Sequence, residues 1–121
     1  MATKQSPRIE NGTIKWYEGD AFYLYFTIDD VNSDPVAPIK LEENDKIVVI
    51  FRQQCREMRR FEILESKSGL FPVHVDERTT KLFREGQYFY DIELHRNNSD
   101  TIQTIVQCGK IEVEGCRQCQ S

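Results

Sequence analysis

The chain has no long hydrophobic run and no apolar leader. Its uninterrupted stretches of aliphatic and aromatic residues are short, such as the five residues Ile47 to Phe51, whereas a membrane-spanning helix needs about twenty. The first residues, Met-Ala-Thr-Lys-Gln-Ser-Pro-Arg, lack the apolar segment of a secretory signal peptide. We therefore expect no membrane partner, no signal peptide, and a reducing compartment that keeps the cysteines as thiols.

Surplus positive charge is also lacking. The chain has 16 Lys and Arg residues against 20 Asp and Glu residues, a formal net charge of −4. Because binding nucleic-acid phosphates takes an excess of basic side chains, we predict no nucleic-acid partner. The 121 residues, 30% charged and 11% aromatic, are typical of one soluble globular domain.

The sequence contains no recognisable catalytic constellation. A Cys-x-x-Cys spacing occurs once, at Cys116 and Cys119, whereas a zinc site with four ligands typically uses two such pairs. Cys108 with His74 or His95 completes a ligand set only if the fold brings these residues together. A frayed tail carrying two thiols is the favoured interpretation. We predict no catalytic residue, no metal ligand and no cofactor; a zinc-binding domain using Cys108, Cys116, Cys119 and a histidine is an alternative.

Alternation of apolar and polar residues with a period of two recurs along the chain, and helical periodicity is scarce. This pattern predicts about seven to eight short strands. They are expected at Thr13–Tyr17, Ala21–Asp29, Lys46–Gln53, Phe61–Glu65, Leu70–Val75, Tyr88–His95, Thr101–Gln107 and Lys110–Glu114. We predict an all-β fold, an antiparallel β-sandwich over residues 13–114, with a flexible N-terminal arm at 1–12 and a C-terminal tail at 115–121.

Single residues within this pattern predict details of the architecture. Lys46–Gln53 is apolar on both faces at its centre, as expected for a strand in the middle of a sheet. Pro72 has no amide hydrogen to donate and predicts an edge strand. Asp76 or Thr79 offers an N-cap for one helical turn, and Gly109 predicts a bend or bulge in the last strand.

Two segments are less regular. Residues 30–45 are rich in Asp, Asn, Ser and Pro and predict a long connection. Residues 52–61 contain good helix formers, so a short helix competes there with a β-hairpin. The sandwich interpretation favours the connection from strand to strand.

The spacing of Phe83, Gly86 and Tyr88 indicates a structural corner. A bulky apolar residue, a Gly suited to positive φ and a Tyr at the start of a strand are typical of the tyrosine corner of antiparallel β-sandwiches. Strict alternation follows, so that Tyr88, Tyr90 and Ile92 are predicted to share one face. This pattern predicts architecture and says little about function.

The one concentrated basic group is Arg52, Arg56, Arg59 and Arg60. On a helix three of these residues share a face, and on a hairpin they line one edge of a sheet. A solvated face is favoured because glutamates are interspersed. The functional alternative is a docking patch for an acidic partner protein, for which Arg56, Arg59 and Arg60 are the candidate contact residues.

Tyr23 and Tyr25 are the other candidate contact residues. They occupy the outward register if Phe22, Leu24 and Phe26 point into the core. Exposed tyrosines on a sheet face are typical of a protein interface or of a surface that stacks on carbohydrate. A loop that overlies the sheet and covers both rings is an equally weighted interpretation.

Three groups of residues together resemble a known family. The first is Glu18-Gly19-Asp20 before the alternating strand Phe22–Asp30, and the second is Pro38-Ile39-Lys40-Leu41 before Ile47–Arg52. The third begins with Thr79 and Leu82, continues with Gly86-Gln-Tyr-Phe-Tyr-Asp-Ile92, and ends in Thr104-Ile-Val106 and Gly109-Lys-Ile111. The order resembles the small immunoglobulin-like β-sandwich domains of phage tail and baseplate proteins, such as the N-terminal domain of baseplate upper proteins. Glu85 stands where such sequences usually have a Pro before the Gly of the corner.

The resemblance implies a non-enzymatic structural or adaptor domain of a phage or prophage particle. It implies partners among other phage structural proteins or a second copy of the chain, and a location in the virion, or in the host cytoplasm during assembly. The alternative from another class is a ligand-binding β-sandwich that recognises glycans through Tyr23 and Tyr25.

Overall fold

A computed structural model describes residues 7–30, 34–65, 70–96 and 102–115. The fold is all-β, as predicted, with ten strands and one helical turn in the described residues. The elements are β1 (Arg8–Glu10), β2 (Thr13–Tyr17), β3 (Phe22–Thr27), β4 (Asp29–Asp30), β5 (Ala37–Pro38), β6 (Lys46–Gln53), β7 (Arg56–Ile63), β8 (Leu70–Val75), α1 (Glu77–Thr80), β9 (Gly86–His95) and β10 (Ile102–Glu114).

The strands form one large sheet and two small ones. The six-stranded sheet has the order β1-β2-β10-β9-β6-β7, and the two-stranded sheets are β3-β8 and β4-β5. The prediction of a wholly antiparallel arrangement is wrong for one pair, because β2 and β10 run parallel, with Trp16 opposite Val113. Parallel neighbouring strands need a long crossover connection. Here that connection is most of the chain, because β3 to β9 lie between β2 and β10 in sequence.

The core lies between the six-stranded sheet and the β3-β8 sheet. Trp16 on β2 is fully buried, and its ring centroid is 5.0 Å from that of Phe22 on the smaller sheet. Phe51 and Phe83, also fully buried, lie 6.0 and 5.9 Å from the same indole. These ring contacts join the inner faces of both sheets into one hydrophobic cluster.

The position of β6 confirms the interpretation of its apolar run. The strand pairs with β7 on one side and β9 on the other. Ile47, Val49 and Phe51 join the core on one face. Val48 and Ile50 point to the outward face of the sheet, yet both are buried, at 0% and 9% exposure. The strand is therefore covered on both faces, as a central strand requires.

An N-terminal hairpin replaces part of the predicted arm. Arg8–Glu10 pairs with β2 across Asn11 and Gly12, whose φ angles are +52° and +81°. Asn-Gly with both φ positive is the preferred two-residue loop of a hairpin, so Arg8–Glu10 forms a strand within the segment predicted as an N-terminal arm. Residues 1–6 and the tail residues 116–121 lie outside the described part of the chain.

Residues 52–61 form a hairpin rather than a helix. Gln53 lies opposite Arg56, and the two-residue turn between them has Gln54 at φ +52°. β7 therefore begins at Arg56, five residues before the predicted start at Phe61. The helix propensity of this segment is overridden because the antiparallel partner β6 is central in the sheet.

The helical turn and the edge strand match their predictions. Asp76 caps α1, and its carboxylate accepts a hydrogen bond of 2.8 Å from the Thr79 amide. This bond lowers the pKa of Asp76. Pro72 lies on β8, which pairs only with β3 in the described part of the molecule. The connection over residues 30–45 contains β4 and β5 instead of being wholly irregular.

A corner precedes β9. The Tyr88 hydroxyl donates a hydrogen bond of 2.8 Å to the Arg84 carbonyl, four residues upstream. The buried Phe83 ring packs edge-on against Tyr88, with centroids 4.9 Å apart. Gly86 stands at φ +152°, a conformation that a residue with a Cβ rarely adopts. All three residues of the predicted corner therefore take part in one local structure.

The last strand is continuous where two strands were predicted. β10 runs from Ile102 to Glu114 with register shifts between Thr104 and Val106 and between Val106 and Gly109. An added Cβ on Gly109 would lie well under 3.0 Å from three ring atoms of Tyr90. The Tyr90 ring therefore lies directly over Gly109, and the bulge predicted at this glycine accommodates a cross-strand aromatic side chain.

Candidate binding surface

The outward side of the β3-β8 sheet presents an unusual group of side chains. Tyr23 lies opposite His74 and Tyr25 lies opposite Pro72 in the antiparallel register. We call Tyr23, Tyr25, Pro72 and His74 the aromatic face. Tyr23 and Tyr25 are 52% and 59% exposed, so no described loop covers them, and the alternative of a loop lying over both rings is wrong for the described chain.

Alternation within β3 produces this arrangement. Phe22 and Leu24 point into the core with exposures of 8% and 6%, and Phe26 packs against the same cluster. Side chains alternate in a strand, so the tyrosines between these residues must point outward. β8 repeats the pattern with Phe71, Val73 and Val75 inside. The smaller sheet thus has an apolar inner side and an outer side rich in aromatic side chains.

The rings of the aromatic face are ordered relative to one another. The Tyr23 ring and the His74 imidazole stack with centroids 4.2 Å apart and planes 7° apart. The Tyr23 and Tyr25 rings are 6.2 Å apart and 21° from parallel. Stacking of this kind restricts the side-chain rotamers before any partner arrives, which lowers the entropy lost on binding.

A groove continues from the aromatic face toward the large sheet. It lies between β7 and β8, has a volume of about 590 Å³, and includes His74 in its wall. Its lining residues are Arg59, Arg60, Phe61, Glu62, Ile63, Pro72, Val73, His74 and Asp76. Because His74 and Pro72 belong to both, the aromatic face and the groove form one continuous surface.

The three candidate arginines all lie on β7 but do not form one patch. Arg59 lies opposite Phe51 on the inward face, and Arg60 lies opposite Ile50 on the outward face. The Arg59 guanidinium lies over the Phe61 ring, 4.8 Å from its centroid, and donates a hydrogen bond of 2.7 Å to the Arg60 carbonyl. Alternation therefore separates Arg59 from Arg60, and both reach the groove from opposite sides of the strand.

Arg60 and Arg56 differ in their partners. Arg60 forms an exposed ion pair of 2.9 Å with Glu57. Arg56 is exposed beside the hairpin turn, and no described carboxylate pairs with it. A docking patch that needs all three arginines on one face is not present, and Arg59 and Arg60 contribute separately to the groove.

The outward face of the six-stranded sheet has a different chemistry. Charged side chains form ion pairs along it, including Arg52 with Asp91 at 2.8 Å and Lys46 with Glu62 at 2.7 Å. The Arg52 hydrogen bond lowers the pKa of Asp91, and the Cys108 amide adds to this effect against the opposing cost of burial. Most charged groups of this face are therefore satisfied within the molecule.

The zinc alternative gains no support from the described residues. Cys108 is exposed and its sulphur accepts a hydrogen bond of 3.0 Å from Arg52. His74 stacks on Tyr23, whereas His95 bonds to Glu93 at 3.0 Å. Residues 7–30, 34–65, 70–96 and 102–115 contain no group of three or more side chains placed to hold a metal ion. Cys116 and Cys119 lie outside these ranges.

Sequence reasoning found the tyrosines but missed their neighbours. From the sequence, His74 is considered only as a possible zinc ligand, and Pro72 only as the mark of an edge strand. Alternation in β3 and in β8 places Tyr23 and His74 on outward faces and could have indicated that both are exposed. Their contact also depends on the register between the two strands, which the sequence does not determine.

Comparison with known proteins returns no relative. No protein-family model, no curated protein and no solved structure matches the chain. Among the described residues, the structure contains no helix long and apolar enough to cross a membrane.

Proposed function

We propose that this chain is a non-enzymatic structural or adaptor domain that joins protein subunits through its aromatic face. The proposal extends to an immunoglobulin-like β-sandwich and a role in a phage or prophage particle, for which the sequence resemblance is the support. The single observation that carries the binding function is the exposure of Tyr23 and Tyr25, 52% and 59%, on a sheet with a packed apolar core behind it.

Burial of these rings supplies the driving force. Taking a large apolar side chain from full exposure to full burial contributes about 1.5–3 kcal/mol, and the half-exposed Tyr23 and Tyr25 can gain part of this on binding. Tyr is also enriched among the residues that dominate interface energetics. Leu70, 38% exposed, lies on the same outward side of β8 opposite Thr27. A partner that covers the aromatic face and Leu70 therefore gains apolar contact without separating any described ion pair.

The aromatic face suits a protein partner because its rim is polar. The groove beside it carries Arg60 and Glu62 from β7 and Asp76 from the start of α1. An apolar centre with a charged rim is the usual arrangement of a protein interface. The rim then selects among partners through charge, while the tyrosines supply most of the affinity.

The test is the double variant Tyr23→Ala and Tyr25→Ala. We expect it to lose assembly with neighbouring subunits, measured as complex mass by light scattering, while its circular dichroism stays that of the wild type. The control is Ile9→Ala with Ile102→Ala, which removes two exposed apolar side chains (65% and 56%) elsewhere and should leave assembly intact. An unchanged complex mass in the tyrosine variant would remove the aromatic face from consideration.

The partners to be used in this test come from the genes beside the coding region. Neighbours that encode tape-measure, baseplate, fibre or lysis proteins are expected, and their products are the candidates to mix with this chain. Neighbours from metabolism or surface-glycan handling would contradict the particle role and favour the second candidate.

A second candidate function is glycan binding, favoured by the near-parallel Tyr23 and Tyr25 rings. Aromatic rings presented side by side can stack on the apolar faces of sugar rings, and the polar groups of the groove can donate and accept hydrogen bonds. Binding to a glycan array that disappears in the Tyr23→Ala, Tyr25→Ala variant would establish this function. If the wild type binds no glycan on the array but still assembles with its partners, the adaptor function is favoured.

A further inference from the structure

The outer edge of β7 has no partner strand in the part of the chain that the structure describes. β7 is the last strand of the six-stranded sheet and has β6 as its one partner among the described strands. Its other side faces the groove, which is lined by five consecutive β7 residues, 59–63. An open edge presents backbone N–H and C=O groups that can pair with another strand. We propose that β7 pairs antiparallel with β7 of a second copy of this chain, so that one sheet continues through two molecules.

The faces of β7 are defined by its pairing with β6. Arg60 and Glu62 lie opposite Ile50 and Val48, on the outward face. Phe61 lies opposite Val49, on the face that packs against the core. When two identical strands meet about a two-fold axis perpendicular to the sheet, outward residues meet outward residues. The outward sequence Arg-x-Glu therefore decides which registers are favourable.

One register is complementary in charge. With the axis at Phe61, Arg60 of each copy lies opposite Glu62 of the other copy, and the two Phe61 side chains meet on the inward face. Opposite charges directly across an antiparallel pair stabilise it, and aromatic pairs do so as well. The symmetry produces the Arg60–Glu62 pair twice.

The neighbouring registers place like charges opposite each other. An axis at Arg60 brings Arg60 against its own copy, and an axis at Glu62 brings Glu62 against its own copy. An axis at Arg59 likewise places Arg59 opposite Arg59 of the other copy. Like charges directly across a strand pair are destabilising, so charge favours the register centred on Phe61 over these three neighbouring registers. The basic residues on this edge then disfavour pairing with strands of other proteins but allow β7 to pair with its own copy.

The existing ion pairs do not oppose the dimer. Arg60 is bonded to Glu57 and Glu62 to Lys46, and these four side chains are between 35% and 49% exposed. Exposed pairs contribute little and exchange partners readily. Glu62 can accept from Lys46 of its own chain and from Arg60 of the other copy, which continues the charge ladder of the outward face across the junction.

This inference goes beyond the proposed function and does not rest on it. The self-contact is centred on residues 59–63, whereas Tyr23 and Tyr25 supply most of the affinity of the proposed adaptor contact. Arg60 and Glu62 also lie on the rim of that contact, so the tyrosine variants, and not the charge reversals, separate the two contacts. Failure of self-association leaves the aromatic face untouched, and an inert aromatic face leaves the β7 edge available. The two results are distinguishable with the same set of variants.

The test is a charge-reversal cycle followed by sedimentation equilibrium over a range of protein concentrations. We expect a wild-type dimer, and for Arg60→Glu or Glu62→Arg alone a dissociation constant raised on the order of tenfold or more, because each change creates two like-charge pairs. The double variant Arg60→Glu, Glu62→Arg restores both pairs and should dimerise. A mixture of the two single variants should form a heterodimer, although each variant alone self-associates more weakly than the wild type.

Two controls separate this contact from a general effect of charge. Lys110→Glu and Glu43→Arg change the net charge by the same amounts at exposed positions away from β7 and should leave the dimer intact. A wild-type chain that is monomeric at every concentration would overturn the proposal, as would single variants that dimerise like the wild type. Independently, amide exchange at residues 59–63 should slow as the wild-type concentration rises, and concentration-independent exchange there would contradict the pairing.

Discussion

The two outward faces of this molecule cover the same core but differ in their side chains, which are mostly paired charges on one face and exposed aromatic rings on the other. On the six-stranded sheet, charged residues form ion pairs between neighbouring strands, as Arg52 on β6 and Asp91 on β9 do. On the β3-β8 sheet, Tyr23 and Tyr25 stand half-exposed beside Pro72 and His74. No ion pair involves these four side chains in the described structure.

The difference indicates which face is available for a partner. Covering paired charges costs desolvation that new contacts must offset, whereas covering exposed rings removes apolar surface from water and is favourable. The large sheet therefore contributes its open β7 edge and its rigidity, while the small sheet contributes a binding face. The following changes test how far the two faces depend on each other and on the core.

Removal of the central indole should have the largest effect, because Trp16 contacts both sheets. Trp16→Ala is expected to lower the free energy of unfolding by about 3–5 kcal/mol, measured by urea denaturation. Trp16→Phe keeps part of the contact with Phe22 and removes the buried, unpartnered indole nitrogen, so its loss should be smaller. A Trp16→Ala protein as stable as the wild type would show that the sheets do not depend on this contact.

Overpacking the β9-β10 junction should have the next largest effect. Gly109→Ala places a methyl group inside contact distance of the Tyr90 ring and should cost about 1–3 kcal/mol. In a Tyr90→Ala background the same change should cost much less, because the ring that blocks the methyl group is gone. A double-mutant cycle by denaturation measures this coupling, and additive losses would contradict it.

Acid should weaken the outward face of the large sheet through Asp91. Its pKa in the folded state is lowered, first by the hydrogen bond from Arg52, so its stabilising effect is present above the unfolded pKa and is lost as the pH falls through the folded value. Loss is thus expected below about pH 4. Asp91→Asn should cost about 1 kcal/mol at pH 7 and reduce the acid dependence measured by unfolding. Glu10→Gln, at an exposed ion pair, is the control and should alter the acid dependence less.

The smallest effect is expected on the aromatic face itself. Tyr23→Phe with Tyr25→Phe should change the free energy of unfolding by less than about 0.5 kcal/mol, because both residues are surface-exposed and neither hydroxyl bonds to the described chain. The variant also sharpens the assignment of function. Binding that survives indicates ring burial at a protein interface, whereas binding that disappears with a stable fold indicates that the hydroxyls contact the ligand.

Local patterns were sufficient for most elements. The apolar run of β6, the cap at Asp76 and the corner at Tyr88 depend on residues close in sequence, and the structure contains each of them. The Asn11-Gly12 turn carried an equally local signal that the sequence analysis overlooked. Residues 52–61 could not be assigned from propensity, because the partner strand decides between helix and hairpin there.

The candidate site was only half predictable. Alternation placed Tyr23 and Tyr25 on an outward face from sequence, but the neighbours of these rings depend on which strand pairs with β3 and in what register. Likewise, the grouping of Arg56, Arg59 and Arg60 was correct along the chain and misleading in space, because successive residues of a strand point to opposite faces.

The amino-acid sequence alone determined that this chain is all-β, where its central strand lies, and that two tyrosines point away from the core. Each of these follows from periodicity and side-chain alternation, which are properties of neighbouring residues. Only the tertiary structure decided that β2 and β10 run parallel, that His74 stacks on Tyr23, and that β6 is the one described strand paired with β7, whose other edge lies beside a groove. These features depend on contacts between residues distant in sequence, and the closure of the shared core selects them.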